Sequence, residues 1–153
     1  MMYVDSYPIQ AVPKPFDVWR HHNGNEYLVL ELANESERQE EYPRTVVYRG
    51  ANGKTWAKTL TNFLDKMTLV HSAETREAKI FRFAGRDLGI HEALLASHAG
   101  LEVSRTTEHE KLYLVFNNHA VYVRHVMITM HNEERNYLLD SNAVTANDWR
   151  VEL

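Results

Sequence analysis

The sequence has 153 residues, of which 44% are apolar, so it can build one ordinary domain or two very small ones. Its 17 Lys and Arg against 21 Asp and Glu give a net charge of −4, which argues against sequence-independent nucleic-acid binding. The absence of cysteine excludes disulfides, thiolate zinc sites and thiol nucleophiles. No apolar run is long enough to span a bilayer, and the first residues lack the pattern of a secretion signal. We therefore expect a cytoplasmic protein with no membrane partner.

The chain begins with a proline-rich arm and a hairpin. Three of the four prolines lie in residues 7–16, which predicts an extended segment without a regular strand. Residues 18–21 and 26–32 alternate apolar and polar side chains on either side of Asn23-Gly24. An Asn-Gly pair tolerates the positive φ of a type I′ turn, so the pattern predicts a tight hairpin.

Two more strands and a short helix are predicted before residue 70. The polar segment 34–41 predicts a loop, and residues 44–49 and 54–58 predict strands joined by a glycine-containing turn. Thr61 or Asn62 can cap a short helix that places Phe63 and Leu64 over the strands. Four short strands without a long helix are typical of a small barrel, which we place at residues 14–70.

The pattern changes after this point. The polar segment 71–78 predicts a linker, and residues 79–83 predict a brief strand. Asp87 can cap a helix whose apolar residues, starting with Ile90, recur at helical spacing, and Gly100 is the expected helix stop.

The last part of the chain predicts an antiparallel sheet. Residues 111–116 and 120–130 read as strands, and 137–139 and 149–153 can supply edge strands. The strand at 120–130 is apolar on both faces, which predicts a central position. We therefore expect an α+β protein whose second domain, residues 79–153, packs one helix on an antiparallel sheet. A domain this small with a two-faced apolar strand also predicts a homo-oligomer.

Metal, cofactor and catalytic motifs are weak. His119, His125 and His131 stand at six-residue intervals, which separates neighbours by about 20 Å along a strand, too far for one ion. The sequence has no phosphate-binding glycine loop, no nucleophile elbow and no persuasive carboxylate pair. We therefore expect no metal, no cofactor and no catalytic residue, with a small nucleotide hydrolase as a lesser alternative.

The first half resembles a small bacterial and phage family of unknown function. That family carries Tyr-Arg-His-Tyr-Lys-Gly, a Val-Val-Tyr strand and Trp-x-Arg-Pro. The corresponding residues here are the run 19–30 with its Arg20-His21-His22-Asn23-Gly24 core, the strand 45–49, and Trp56-Ala57-Lys58. Trp19 stands for the family Tyr, and Lys58-Thr59 for Arg-Pro. The resemblance covers about residues 14–70 and implies an SH3-like barrel.

The second half resembles the second type of Thoeris anti-defence protein from phages. The most specific element is Ala146-Asn147-Asp148-Trp149 near the chain end, whereas Tyr137 replaces a family Trp. The resemblance spans four segments: 90–94, 100–105, 112–114 and 141–149.

That resemblance implies a sponge rather than an enzyme. Members are oligomers, here a dimer or tetramer, that bind a cyclic nucleotide immune signal in the host cytoplasm without cleaving it. The signal would be a cyclic ADP-ribose isomer or a cyclic oligonucleotide, of the kinds used by Thoeris or CBASS defence. A nucleotide needs an aromatic face, cations for its phosphates, and acceptors for its ribose hydroxyls. The candidate ligand-binding residues are Arg105, Tyr113, Arg124, Tyr137, Asn142, Asn147, Asp148 and Trp149.

Several of these residues also have a purely structural interpretation. Trp149 could fill the core, Asp148 could cap a turn, and Arg105 could pair with Glu102 or Glu108 on the surface. The alternative function is a protein-interaction or nucleic-acid-binding barrel whose second domain only dimerises. For the barrel we predict a possible second ligand face built by Arg20, His21, Arg49, Trp56 and Lys58.

Overall fold

The computed structural model describes residues 11–35, 41–107, 110–117, 120–127, 134–138 and 141–153. The chain forms two compact units, residues 1–81 and 82–153, and each contains an open five-stranded antiparallel sheet with helices. This confirms the predicted α+β class. Among the described helices, none combines the length and the apolar character needed to cross a membrane.

The first unit is a sheet in the order β4-β3-β2-β1-β5, with antiparallel pairing throughout. Because β4 and β5 lie at opposite edges, the sheet does not close, and the predicted SH3-like barrel is not confirmed. The strand β5 was not anticipated from the sequence. The elements are β1 (Val18–His21), β2 (Glu26–Ala33), β3 (Thr45–Gly50), β4 (Thr55–Thr59), α1 (Leu60–Lys66), β5 (Met67–His71) and α2 (Arg76–Phe83).

The predicted β1–β2 hairpin is present, but the turn is not type I′. Gly24 has a φ of 93°, whereas Asn23 is not among the residues with positive φ, which a type I′ turn requires. The Gly24 N–H donates to the His21 carbonyl at 2.8 Å, as in a type I turn followed by a left-handed glycine. The Asn23 side chain accepts the Asn25 N–H at 2.9 Å, which favours this geometry.

The β3–β4 turn repeats this arrangement. Gly53 has a φ of 80° and donates its N–H to the Gly50 carbonyl at 3.0 Å, while Asn52 accepts the Lys54 N–H at 3.0 Å. Strands β1 and β3 run in one direction and β2 and β4 in the opposite one, so both Asn-Gly turns lie at the same end of the sheet.

One face of the first sheet packs under α1. The Phe63 ring lies 5.2 Å from Trp19 and 5.3 Å from Tyr48, centroid to centroid, in edge-to-face geometry. The helix is capped by the Thr59 hydroxyl, which accepts the Asn62 N–H at 3.4 Å, rather than by Thr61 or Asn62 as predicted. The buried cluster on this face is Trp19, Val29, Val46, Tyr48, Phe63 and Met67.

The other face packs against α2, where the sequence predicted a linker and a strand. That prediction was wrong because Thr75 caps a helix, with its hydroxyl accepting the Ala78 N–H at 3.2 Å. Ala78 and Phe81, one helical turn apart, then pack on Val18 and Leu28. This packing places the segment predicted as a linker within the first unit.

A buried carboxylate ties the start of the described chain to this unit. Asp17 is only 4% exposed, and its two oxygens accept the Ala73 N–H at 2.8 Å and the Lys14 N–H at 3.0 Å. Its main-chain carbonyl accepts the Val29 N–H at 2.9 Å. The side chain therefore joins its own segment to Ala73, 56 residues away in sequence, while the main chain of Asp17 bonds to β2.

The second unit is a sheet in the order β10-β6-β7-β8-β9. The strand β8 has neighbours on both sides, as predicted for this segment, although residues 128–130 of the predicted strand lie outside the described residues. The helix α3 packs on β6, β7 and β10. The elements are α3 (Ile90–His98), β6 (Val103–Thr106), β7 (Glu110–Asn117), β8 (Ala120–Met127), β9 (Glu134–Leu138), α4 (Ser141–Thr145) and β10 (Arg150–Val151).

The ends of α3 agree only partly with the prediction. Gly100, with a φ of 91°, follows the helix end as expected. The N-cap is Gly89, which makes no side-chain capping bond, and Asp87 instead pairs with Arg150. Leu88 and Trp149 exchange two main-chain hydrogen bonds of 2.8 and 3.1 Å, which hold the end of the chain beside the start of the helix.

Candidate functional site

A charged cleft of about 270 Å³ lies at the edge of the second sheet, where β10 pairs with β6 and Arg150 stands opposite Ser104. It combines two arginines, three carboxylates and two hydroxyl groups. The residues that line this charged cleft are Asp87, Ser104, Arg105, Thr106, Asp148, Arg150 and Glu152.

Two predicted ligand-binding residues, Arg105 and Asp148, meet in this cleft. Arg105 donates from Nε to Asp148 Oδ1 at 2.8 Å and from Nη2 to Oδ2 at 3.4 Å. The arginine side chain is only 17% exposed, whereas the carboxylate side chain is 53% exposed. Its guanidinium carbon also lies 5.9 Å from the Trp149 ring centroid. Arg105 therefore pairs with Asp148 rather than with the predicted Glu102, and the other predicted partner, Glu108, lies outside the described residues.

The other charges of the charged cleft are also paired. Arg150 Nε lies 2.7 Å from Asp87 Oδ1, and this hydrogen bond raises the pKa of the arginine. Lys111 Nζ lies 2.7 Å from Glu152 Oε1, and the Ser104 hydroxyl bonds to the same carboxylate. The hydrogen bond from Lys111, followed by that from Ser104, lowers the pKa of Glu152, while the bond to Glu152 raises the pKa of Lys111.

Trp149 belongs to the core. Its side chain is fully buried, and its indole N–H donates to the Ala143 carbonyl at 3.2 Å. Trp149 therefore fills the core, which was the structural alternative considered above, and its ring offers no exposed surface to a nucleobase. Tyr113 is half-buried, with Lys111 Nζ 5.4 Å from its ring centroid, and it stands opposite Ser104 in the sheet. It is the predicted aromatic that lies nearest in register to the charged cleft.

Among the remaining predicted residues of this unit, Asn142 and Asn147 do not line the charged cleft. Asn142 and Asn147 are exposed. In the backbone register Arg124 stands opposite Tyr113, and Tyr137 stands opposite Val123. The side chains of Arg124 and Tyr137 lie outside the described part of the structure.

The five residues of the predicted second site do not share one face of the first sheet. Arg20 and Arg49 lie on the face that packs against α2, because their register partners Glu26 and Leu28 alternate with Tyr27 and Val29 of the opposite face. The other three, His21, Trp56 and Lys58, lie on the face that packs under α1, because their register partners are Met67, Tyr48 and Val46.

Three of these five residues border two separate clefts, whereas Arg49 and Lys58 line neither of them. Trp56, whose side chain is 49% exposed, borders a cleft of about 240 Å³ near the two Asn-Gly turns, together with Tyr27 and Gly50. Arg20 and His21 border a larger cleft of about 640 Å³. The first unit therefore offers two small surfaces instead of the single one predicted.

Sequence reasoning missed several residues of the charged cleft. Asp87 was assigned to a helix cap, and Arg150 and Glu152 were treated only as part of an edge strand. The alternation of charge along Asp148, Arg150 and Glu152 was the available signal, because alternate residues of a strand share a face. Within the described ranges, no group of three or more His, Asp or Glu side chains is arranged to hold a metal ion.

Comparison with known proteins identifies only the first unit. Residues 17–84 match the family described as "Protein of unknown function (DUF1653)", a range that overlaps the segment assigned above to a small family of unknown function. Neither the curated proteins nor the solved structures contain a match to the chain. None of these comparisons supports the resemblance of the second half to the anti-defence family. The comparisons therefore show that residues 17–84 are similar to a domain family of unknown function.

Proposed function

We propose that the second unit binds a cyclic nucleotide signalling molecule and holds it without cleaving it. In this proposal the protein is a phage anti-defence protein that lowers the concentration of an immune signal in the host cytoplasm. The observation that carries the proposal is the Arg105–Asp148 pair, which places a partly buried guanidinium and an exposed carboxylate together at the wall of the charged cleft.

This pair offers the two kinds of group that a nucleotide requires. A phosphate can accept from the arginine, and the aspartate can then accept from ribose hydroxyls or a base amine. A phosphate that displaces the aspartate from the arginine replaces one charge-assisted pair with another, so the arginine keeps an anionic partner. The Nη groups of Arg150 are not used by its bond to Asp87 and can contact a second phosphate.

The size of the charged cleft favours a shared site. Its volume of about 270 Å³ lies below the usual range for small-molecule sites, which begins at about 300 Å³. A cyclic nucleotide would therefore be covered only in part by one protomer. A second copy of the chain would complete the site, in keeping with the predicted homo-oligomer.

Product analysis separates this function from hydrolysis. The protein is incubated with cyclic ADP-ribose or cyclic di-AMP, separated from free ligand and heat-denatured, and the released material is identified by mass spectrometry. Recovery of the intact cyclic nucleotide supports a sponge, fragments support an enzyme, and no retained nucleotide from either probe contradicts the proposal for these two signals.

Substitutions then test the site itself. Removing the aspartate charge in Asp148→Asn should weaken binding about 10- to 150-fold, since a hydrogen bond to a charged group contributes roughly 1.5–3 kcal/mol. Arg105→Ala should do the same without lowering the melting temperature of the unit by more than a few degrees. Glu92→Gln is the matched control, because Glu92 pairs with Arg86 outside the charged cleft. Calorimetry that shows parental affinity in both cleft variants would contradict the site assignment.

A further inference from the structure

The first unit has an open sheet edge beside a cleft. Among the described residues, β5 has β1 as its neighbour on one side and no strand on the other. A cleft of about 640 Å³ is formed by residues of β5, the end of α1 and the β1–β2 hairpin. It is lined by Arg20, His21, His22, Gly24, Leu64 and residues 65–70. We call it the edge cleft.

The edge cleft has the features that an added strand requires. An edge strand directs alternate N–H and C=O groups outward, where they can pair with another extended chain. Leu69 and Val70 of β5 and Leu64 of α1 are half-buried along the cleft, whereas Thr68 is exposed. The cleft therefore combines main-chain pairing groups with apolar side chains, which is the combination used in peptide recognition by strand addition.

Basic side chains gather at one end of this edge. Lys66 directly precedes β5, His21 is the register partner of Met67, and the His22 N–H donates to the Lys66 carbonyl at 3.1 Å. Arg20 lies next to His21 in the same cleft. These four side chains thus lie near the first two residues of β5, with Arg20 as the register partner of Thr68 on the opposite face of the sheet from His21.

The existing partners of these cations are easily displaced. Arg20 pairs with Glu26 at 2.8 Å and Lys66 with Asp65 at 3.4 Å, and the two basic side chains are 51% and 49% exposed. Exposed ion pairs of this kind contribute little to stability, so an incoming carboxylate can compete for either cation.

We propose that β5 accepts an extended peptide as a sixth, antiparallel strand, with acidic residues or a free carboxylate at the C-terminal end of that peptide. The direction follows from the geometry. A chain antiparallel to β5 ends beside Met67, where the basic cluster lies, whereas a parallel chain would end at the opposite side, near His71. This inference concerns the first unit and is independent of nucleotide binding in the second.

The test starts from a display library of random twelve-residue peptides with free C-termini, selected against the full-length chain. We expect the selected peptides to carry Asp or Glu in their last positions. The strongest peptide is then synthesised in two forms, each N-methylated at one of the two alternating sets of amides. Methylation of the set that faces β5 should weaken binding at least about 10-fold, because several ladder hydrogen bonds are lost. Methylation of the outward set should leave affinity nearly unchanged, which provides an internal control on the unmodified protein.

Charge variants test the proposed orientation. Arg20→Gln and Lys66→Gln should each reduce affinity for the unmethylated peptide about 2- to 5-fold in fluorescence anisotropy, as expected for an exposed charge pair. Lys54→Gln, an exposed lysine at the β3–β4 turn, is the matched control and should have no effect. The proposal is overturned if selection yields no binder, if both methylated forms bind equally well, or if the Arg20 and Lys66 variants bind like the control.

Discussion

The buried Asp17 carboxylate makes a quantitative prediction about the first unit. In Asp17→Ala, the N–H groups of Lys14 and Ala73 lose their acceptor at a position where the aspartate is only 4% exposed. Each hydrogen bond to a charged group contributes roughly 1.5–3 kcal/mol, so two of them amount to about 3–6 kcal/mol. Some water can enter the space left by the side chain, and we therefore expect a loss of about 3–4 kcal/mol in the free energy of unfolding.

The measurement is urea unfolding of the full chain by circular dichroism, with hydrogen exchange to assign the affected transition to residues 11–81. Asp17→Asn should lose about half as much, since its amide keeps one acceptor oxygen but turns an NH₂ group toward the other donor. Glu74→Ala removes an exposed carboxylate next to Ala73 and serves as the control. A loss below about 0.5 kcal/mol in Asp17→Ala, comparable to an ordinary surface change, would show that the bonds of this carboxylate to Lys14 and Ala73 do not stabilise the first unit.

Three further predictions follow from the structure. The pKa of Glu152 is lowered in the folded state, so its ionised carboxylate stabilises the fold at a pH above the ordinary Glu pKa of about 4.3. That stabilisation is lost as the pH falls through the lower folded-state pKa. Glu152→Gln should therefore reduce the loss of thermal stability between neutral and acidic pH, and an unchanged pH dependence would contradict this. The pKa of Lys111 is raised in the folded state, so its charged amine stabilises the fold at a pH below the ordinary lysine pKa. That stabilisation is lost as the pH rises through the higher folded-state pKa. Gly24→Ala and Gly53→Ala, which place a side chain at a positive φ, should each cost about 1 kcal/mol in chemical denaturation, and an unchanged midpoint in both would contradict this. Light scattering should give a mass that is a multiple of 17.9 kDa, and a monomer at micromolar concentration would exclude the predicted oligomer.

Local sequence signals predicted the elements whose determinants are adjacent in the chain. The β1–β2 hairpin and the end of α3 at Gly100 depend on a few neighbouring residues, and both are present. The helix α2 was missed because its polar surface obscured the Thr75 cap and the packing of Ala78 and Phe81. Closure of the first sheet depends on how its two edge strands are placed relative to each other, which no local pattern specifies.

In the candidate site too, the sequence identified individual residues, but their pairing depends on the fold. Arg105 and Asp148 are 43 residues apart in sequence, and both were predicted to bind ligand, but their direct pairing depends on the alignment of β10 with β6. The role of Trp149 could not be decided from sequence, since a tryptophan near the chain end can equally stack on a ligand or fill a core. The second predicted site failed to assemble because strand alternation places Arg49 and Trp56 on opposite faces of the sheet.

The two Asn-Gly turns also affect the chemical ageing of the protein. Asparagine followed by glycine deamidates readily, when the glycine main-chain nitrogen attacks the asparagine side-chain amide to form a succinimide. In both turns that nitrogen already donates to a main-chain carbonyl, at 2.8 Å for Gly24 and 3.0 Å for Gly53. The asparagine oxygens are held as well, by the N–H groups of Asn25 and Lys54. The fold therefore protects two labile sites, and deamidation at either position should report the time that the first unit spends unfolded.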